Sequence, residues 1–216
     1  MFSARARVQE DYRRASVARP REDPEQQRKI AVAIFELIAA RGVDGASMRA
    51  AAAATGLSTG TLNYHFTNKR ELIRFALEYA YSTPPDWAAH QGHAANALAR
   101  LLRRYILRRE EVRVWWRFFC AMTAHAPRDP ELGAWQAKMQ RDLVAFFAGV
   151  LSGGVTRGEL RLSQEASIEA ERLVGLAHGL ALRQLLDPRP AVVAACRSLL
   201  EAEIAAICTS RTVVRL

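Results

Sequence analysis

Small polar side chains recur between Ser47 and Lys69, in the segment SMRAAAAATGLSTGTLNYHFTNK. Hydroxyl and amide groups of this size suit hydrogen bonds to base edges, and hydroxyl, imidazole and ammonium groups suit phosphate oxygens. The pattern therefore indicates nucleic-acid recognition. We expect Thr59, Thr61 and Asn63 to read bases and Ser47, Tyr64, His65 and Lys69 to hold phosphates, with Arg49 and Gly60 completing the DNA-binding set.

Two short helices joined by a glycine turn would position these side chains. Ser47 is a plausible N-cap for the alanine-rich run 50–54, and Gly56 can end that helix in the left-handed region. Ser58 then begins a second helix. This is the shape of a helix-turn-helix, whose second helix enters the major groove. On spacing alone, an ordinary helical hairpin with a polar outer face remains the alternative.

The motif also resembles a known family. Ser-x-Arg, an alanine-rich helix and then Thr-Gly-Leu-Ser-x-Gly-Thr-Leu-x-Tyr-His-Phe-x-x-Lys-x-Glu-Leu are similar to the DNA-binding signature of the TetR family, over residues 28 to 75. The resemblance implies a three-helix DNA-binding domain in a dimeric regulator. The sequence departs from the pattern at Ala50 and Ala51, where an acidic residue and a larger aliphatic are usual, and at Thr59 and Asn63, which affects the operator sequence rather than the fold.

Composition favours a folded chain with a polyanionic partner. Half of the 216 residues are apolar, and the formal net charge is +9. Residues 1–24 carry arginines without an apolar period, so we expect a basic flexible arm that is either a phosphate-seeking tail or a frayed terminus without a role. The chain has neither an apolar run of about 18 residues nor the apolar core of a signal peptide, which predicts a cytoplasmic protein without membrane partners.

The remainder of the sequence predicts helices and no strands. The predicted helices cover 25–41, 68–82, 94–109, 110–125, 129–158, 163–185 and 187–207, together with the two of the helix-turn-helix. The fold class is therefore all-α. We expect a DNA-binding domain over 25–72, and a larger ligand-binding and dimerisation domain over 73–216.

A set of aromatic residues on the central helices predicts a ligand site. The candidates are Tyr105, Trp115, Trp116, Phe119, Met122, Trp135, Met139 and His178, with Thr123 and His125 as further polar groups. Apolar, aromatic pockets between helices are typical ligand sites. The alternative is that this stripe is simply core. The resemblance implies a small-molecule inducer here, but the sequence does not identify it.

The C-terminal segments Arg-Asp-Pro-Glu-Leu and Gly-Leu-Ala-Leu-x-x-Leu-Leu-Asp-Pro resemble, less specifically, the BetI-like branch, which is associated with choline. Aromatic faces attract quaternary ammonium ions. Arginines between 100 and 117 oppose a cationic ligand if one of them faces the pocket. Arginines more often line a solvated face, so they do not decide the matter. We favour a mostly apolar ligand, which could be aromatic, over choline.

The last two predicted helices are apolar over more than one face, which predicts a homodimer through residues 163–208. Gly175, Gly179 and Ala181 would allow close approach there, and Leu180 and Leu199 would be buried in it. The resemblance implies the same contact.

Enzyme chemistry finds little support in the sequence. His90 and His93 lack a nearby acidic or cysteine partner for a metal, and Glu110 and Glu111 point in different directions from a helix. We expect no cofactor, no metal and no catalytic residues. The predicted function is a one-component repressor that binds a double-stranded DNA operator. The alternatives are a constitutive regulator or activator and, more remotely, a helical carrier or enzyme.

Overall fold

A computed structural model describes residues 24–82, 93–209 and 216 of the protein. In these ranges the chain forms nine α-helices, two 3₁₀ turns and no strand; a single antiparallel bridge joins Leu160 and Cys208. The helices are α1 Pro24–Gly45, α2 Met48–Thr55, α3 Thr59–His65, α4 Lys69–Ser82, α5 Ala94–Leu102, α6 Glu110–His125, α7 Pro130–Thr156, α8 Ala166–Leu186 and α9 Pro190–Ile207. The predicted all-α class is confirmed. The predicted basic arm lies almost wholly outside the described residues, as does His90.

The first three helices surround a small core. Ile30, Ile34 and Ile38 form one buried stripe along α1, and α2 and α4 pack against that helix. The predicted end of α1 after Arg41 is close to the structure. Gly42 takes a left-handed φ of 70°, and the helical pattern resumes briefly to Gly45 beyond this kink.

Helix α6 completes the core of the N-terminal helices. Phe118 and Met122 are both 1% exposed and lie among the apolar side chains of α1 to α4, and the ring of Phe118 is 4.5 Å from that of Phe35. Helix α1 packs more extensively against α6 than against α2 or α4. The N-terminal helices therefore share their core with the domain that follows.

The predicted helix 94–109 is wrong beyond Leu102. The chain continues as a 3₁₀ turn, Arg103–Tyr105, and then as extended backbone to the start of α6. The buried amide of Gln184 on α8 explains the change. Its oxygen accepts the Leu107 N–H and its nitrogen donates to the Tyr105 carbonyl, each at 2.9 Å, so these backbone groups are satisfied without a helix.

The starts of the last three helices show why sequence boundaries shift by a few residues. Asp129 caps α7 as predicted, its carboxylate accepting the Leu132 N–H at 3.3 Å. Helix α8 begins at Ala166 rather than at Ser163, whose hydroxyl instead donates to Glu169. Helix α9 begins at Pro190, a residue type that suits the first helical turn.

Within the described ranges, no helix combines the length and the hydropathy that crossing a membrane requires.

Candidate DNA-binding surface and aromatic cluster

Two serine caps set the geometry of the helix-turn-helix. The Ser47 hydroxyl accepts the Ala50 N–H at 3.1 Å, and the Ser58 hydroxyl accepts the Thr61 N–H at 2.9 Å. Between them, Gly56 adopts a φ of 70° and ends α2. These contacts span three residues or fewer from cap to helix, so the local sequence is sufficient to form the turn.

Helix α3 has one buried side and one open side. Leu62 and Phe66 are at most 2% exposed, whereas Thr59, Gly60 and Asn63 face solvent. Tyr64 is 71% exposed, so its ring contributes little to the packing of the domain. The open side therefore carries the residue types predicted to contact DNA. The Thr61 hydroxyl is hydrogen-bonded to Ser58 Oγ at 2.8 Å, which orients it within the helix.

The predicted phosphate-binding residues flank α3. The Ser47 hydroxyl accepts one hydrogen bond in its cap, which leaves its proton to donate. Arg49 is exposed on α2, and His65 is half-buried with its ring 5.2 Å from that of Tyr64. The Lys69 ammonium donates to the Asp44 carbonyl at 3.2 Å, which holds the first turn of α4 beside the end of α1.

A set of ion pairs, which the sequence reasoning missed, connects α1 and α4, the helices on either side of the helix-turn-helix, to the corner between α6 and α7. Arg70 Nε lies 3.0 Å from Asp129 and its Nη1 lies 3.3 Å from Glu131. Arg128 Nη1 lies 3.4 Å from Asp44. We call these contacts the corner pairs. The Arg-Asp-Pro-Glu segment by itself does not indicate these pairs, because the partners lie 59 to 84 residues earlier in the sequence.

Asp129 is the least exposed member of the corner pairs. Burial by itself disfavours its charged form, but the Leu132 N–H and the Arg70 guanidinium outweigh that effect and hold its pKa below the ordinary value. His125, predicted as a polar group of the ligand site, lies in this corner, with Nδ1 3.8 Å from the Asp44 carboxylate.

Five predicted ligand residues do come together, in what we call the aromatic cluster: Tyr105, Trp115, Trp116, Phe119 and His178. The His178 ring is centred among the others, at 5.6 Å from Tyr105, 5.4 Å from Trp116 and 5.2 Å from Phe119. Trp115 stacks on Phe119 with ring centroids 5.6 Å apart. Residues from the turn after α5, from α6 and from α8 thus form one group of rings.

The polar atoms of the aromatic cluster are uncharged at neutral pH. The Trp116 indole donates to the Arg104 carbonyl at 3.0 Å. Burial raises the pKa of Tyr105 far above its ordinary value and lowers the pKa of His178 to about 4. This environment favours neutral or weakly polar groups.

The other predicted ligand residues lie around the cluster or apart from it. Tyr81, which the sequence reasoning missed, has its ring 6.0 Å from Trp115 and 5.4 Å from Trp135, and so bridges α6 and α7 from the end of α4. Met139 is half-buried one turn beyond Trp135. Met122 lies in the core shared with α1 to α4, together with Phe118, rather than in the cluster.

A buried glutamine lies between α6 and α7. The Gln136 amide nitrogen donates to the Thr123 hydroxyl at 2.7 Å, and its buried oxygen has no hydrogen-bond partner. Among the described residues, no group of three His, Cys, Asp or Glu side chains could hold a metal ion.

A capped helix-turn-helix followed by a larger helical domain is the arrangement of a DNA-binding regulator. The family model described as bacterial regulatory proteins, tetR family, matches residues 30–75. A second model, the C-terminal domain of BetI-type transcriptional repressors, matches residues 94–209. The chain therefore belongs to the TetR family of transcriptional regulators and is of the repressor type.

Individual relatives agree with this assignment. The HTH-type transcriptional regulator PksA of Bacillus subtilis (strain 168) is 31% identical over 181 residues, which are 77% of this chain and 82% of the relative. A TetR-family regulator from Rhodococcus sp. is 25% identical, with a TM-score of 0.75 over 85% of this chain and 98% of that one. A regulator from Saccharomonospora viridis, solved in complex with choline, has a TM-score of 0.76 at 23% identity, over 87% of this chain and all of the other.

Proposed function

We propose that this repressor binds a pseudo-palindromic operator as a homodimer and is released from it by a small-molecule inducer. The observation that carries the proposal is helix α3, whose apolar side is buried and whose polar side is open between two capped ends. In a dimer, two such helices would enter successive major grooves about 34 to 36 Å apart, or a multiple of that spacing. The chain would act in the cytoplasm, without catalytic activity of its own.

The proposed dimer face is an apolar stripe on α8 and α9. Its large members are Ile168, Leu182, Leu186 and Leu199, which are 52%, 44%, 88% and 46% exposed in the single subunit. A Cβ atom placed on Gly175 or Gly179 would meet no atom within 4 Å. A partner helix would cover these leucines and approach the backbone closely at the two glycines.

Two residues expected on this face belong to the subunit core instead. Leu180 is 7% exposed and Ala181 is fully buried, because they lie on the side of α8 that faces the body of the subunit. Leu180→Glu would therefore test folding rather than dimerisation.

Substitutions at Asn63 and Lys69 should separate base reading from phosphate binding. Asn63→Ala removes an exposed amide from α3 and should relax the preference at one operator position, costing about 1 to 3 kcal/mol there. Lys69→Ala should weaken binding to all sequences and reduce the salt slope by about one unit. Fluorescence anisotropy with operator and scrambled DNA over a salt series measures both. An unchanged sequence preference in Asn63→Ala would remove this residue from the base-reading set.

We further propose that the inducer is a mostly apolar, aromatic molecule held beside the aromatic cluster. The support is that the five residues of the aromatic cluster supply rings, one hydroxyl and one neutral imidazole, with no carboxylate among them to pair with a cation. Choline is the competing ligand, because a structural relative binds it and aromatic rings attract quaternary ammonium ions.

Tryptophan fluorescence should distinguish the two ligands. Trp115 and Trp116 lie in the cluster, so a neutral lipophile that binds there should change their emission and release operator DNA at the same concentration. The expected coupling between the sites is about 5- to 150-fold in affinity. Release by choline at micromolar concentration, with neutral lipophiles and aromatic acids inert, would contradict the proposal. A protein that binds operator and responds to none of these would instead be a constitutive regulator.

Mild acid should destabilise the protein through His178. The folded state keeps this imidazole neutral down to about pH 4, whereas the unfolded chain binds the proton near pH 6.5. The unfolded state therefore holds more protons between these values, and the free energy of unfolding should fall by about 2 kcal/mol as the pH drops through this window. Urea unfolding between pH 6.5 and 5 measures the slope above the range in which most carboxylates titrate. His178→Phe should reduce the dependence of the unfolding free energy on pH. An equal slope in the variant would exclude His178 as the cause.

A further inference from the structure

A pocket of about 240 Å³ lies where the segment before α6 meets the beginning of α9. Three arginines line it: Arg108, Arg113 and Arg197. Its apolar walls include Pro188, Pro190 and Val193. None of these residues belongs to the candidate DNA-binding surface or to the aromatic cluster.

The arginines are held in different ways. Arg113 Nε donates to the Leu107 carbonyl at 2.9 Å, which fixes the plane of the guanidinium and leaves its terminal nitrogens to donate elsewhere. Arg197 is ion-paired with Glu201, whose carboxylate lies 3.9 Å from Nε, too far for a hydrogen bond. Arg108 is exposed. The Arg108 guanidinium and the terminal nitrogens of Arg113 are therefore the donors most available to an anion in the pocket.

Two carboxylates lie near the pocket, and only Glu201 pairs with one of its arginines. Asp187 precedes Pro188, but Arg189 holds it with two hydrogen bonds, at 2.8 and 2.5 Å, which lower its pKa. Glu201 accepts the backbone N–H of Leu216 at 2.8 Å. Glu201 therefore offsets part of the charge of Arg197, whereas Arg108 and Arg113 pair with no carboxylate among the described residues.

We infer that this pocket binds a small organic anion, whose carboxylate or phosphate contacts the arginines and whose compact apolar body lies against the prolines and Val193. Guanidinium groups bind both anions through two parallel N–H bonds, more strongly than neutral donors do. The pocket lies just below the size range of drug-sized ligand sites, which favours a ligand of one ring or a short chain. The inference goes beyond the proposed inducer site and is independent of it.

Isothermal titration calorimetry of the full chain tests this inference with benzoate, phenyl phosphate and neutral benzyl alcohol. We expect benzoate or phenyl phosphate to bind one per chain, and benzyl alcohol to bind at least tenfold more weakly. The stronger of the two anions identifies the acidic group. If neither anion binds at millimolar concentration, or if benzyl alcohol binds as well as they do, the inference is wrong.

Matched charge removals locate the binding. Arg108→Gln and Arg197→Gln should each lower the affinity for the anion at least tenfold. Arg141→Gln removes the same charge from an exposed position on α7, outside the pocket, and should change the affinity less than twofold. Equal losses in all three variants would indicate a general charge effect and overturn the inference, as would anion binding that Arg108→Gln and Arg197→Gln leave unchanged. Thermal melts identify any variant that fails to fold. If Arg197→Gln does not fold, Arg108→Gln still tests the inference, because Arg108 is exposed.

Discussion

Leu199→Glu should convert the proposed dimer into monomers and lower operator affinity about 100-fold or more. Leu199 is 46% exposed in the subunit, and the proposed partner helices would bury it. A glutamate there would place an unpaired charge in an apolar contact, and an uncompensated buried charge costs about 3 to 5 kcal/mol. A loss of that size corresponds to about 100-fold or more in an equilibrium constant. Sedimentation velocity and operator anisotropy measure the two effects.

Val155→Glu is the matched control for Leu199→Glu. Val155 is 44% exposed, but it lies on α7, outside the proposed face. The Val155→Glu variant should remain dimeric and bind operator as the wild type does. Wild-type protein that sediments as a monomer at micromolar concentration, or a Leu199→Glu variant that stays dimeric, would contradict the proposed interface.

Phe118→Ala should cost about 3 to 5 kcal/mol of folding free energy, the usual range for removing a buried phenyl ring. The ring is 1% exposed and packs against Phe35 in the core that α6 shares with the N-terminal helices. Because both regions contribute to that core, the helix-turn-helix and the effector domain should lose stability together. Urea unfolding followed by circular dichroism and by tryptophan fluorescence measures this loss.

Phe119→Ala provides the contrast. Phe119 is the next residue of α6, but it is only half-buried and belongs to the aromatic cluster. Its loss should destabilise the chain less and should change the response to ligand more. A cost below about 1 kcal/mol for Phe118→Ala, or two separate unfolding transitions in the wild type, would show that the regions do not share a cooperative core.

These two neighbours explain how a ligand could affect DNA binding. Helix α6 carries three residues of the aromatic cluster, and its Phe118 and Met122 pack in the core with α1. Helix α4 also connects the two regions, because its Tyr81 contacts Trp115 and Trp135. Helix α6 is the more direct link, because it contributes to both cores. A ligand that shifts α6 would therefore change the orientation of the helix-turn-helix, and linkage requires DNA to change ligand affinity equally.

The sequence by itself determined the helix-turn-helix, the all-α class and the family. Ser47, Gly56 and Ser58 act on backbone groups no more than four residues away, so their residue types suffice to predict the turn. The apolar stripe of α1 and the Asp129 cap are local in the same sense. Such signals are independent of what packs against the helix.

The tertiary structure decided which side of each helix faces which neighbour. Phe118 and Phe119 are both aromatic and adjacent in sequence, yet one lies in the shared core and the other in the aromatic cluster. The Gln184 side chain accepts the backbone N–H of Leu107, which is 77 residues away in sequence. This bond holds the segment after α5 in a non-helical conformation. Arg70 forms an ion pair with Asp129, which lies 59 residues later in the sequence. These contacts depend on how the helices pack, and residue spacing within a single helix does not encode that packing.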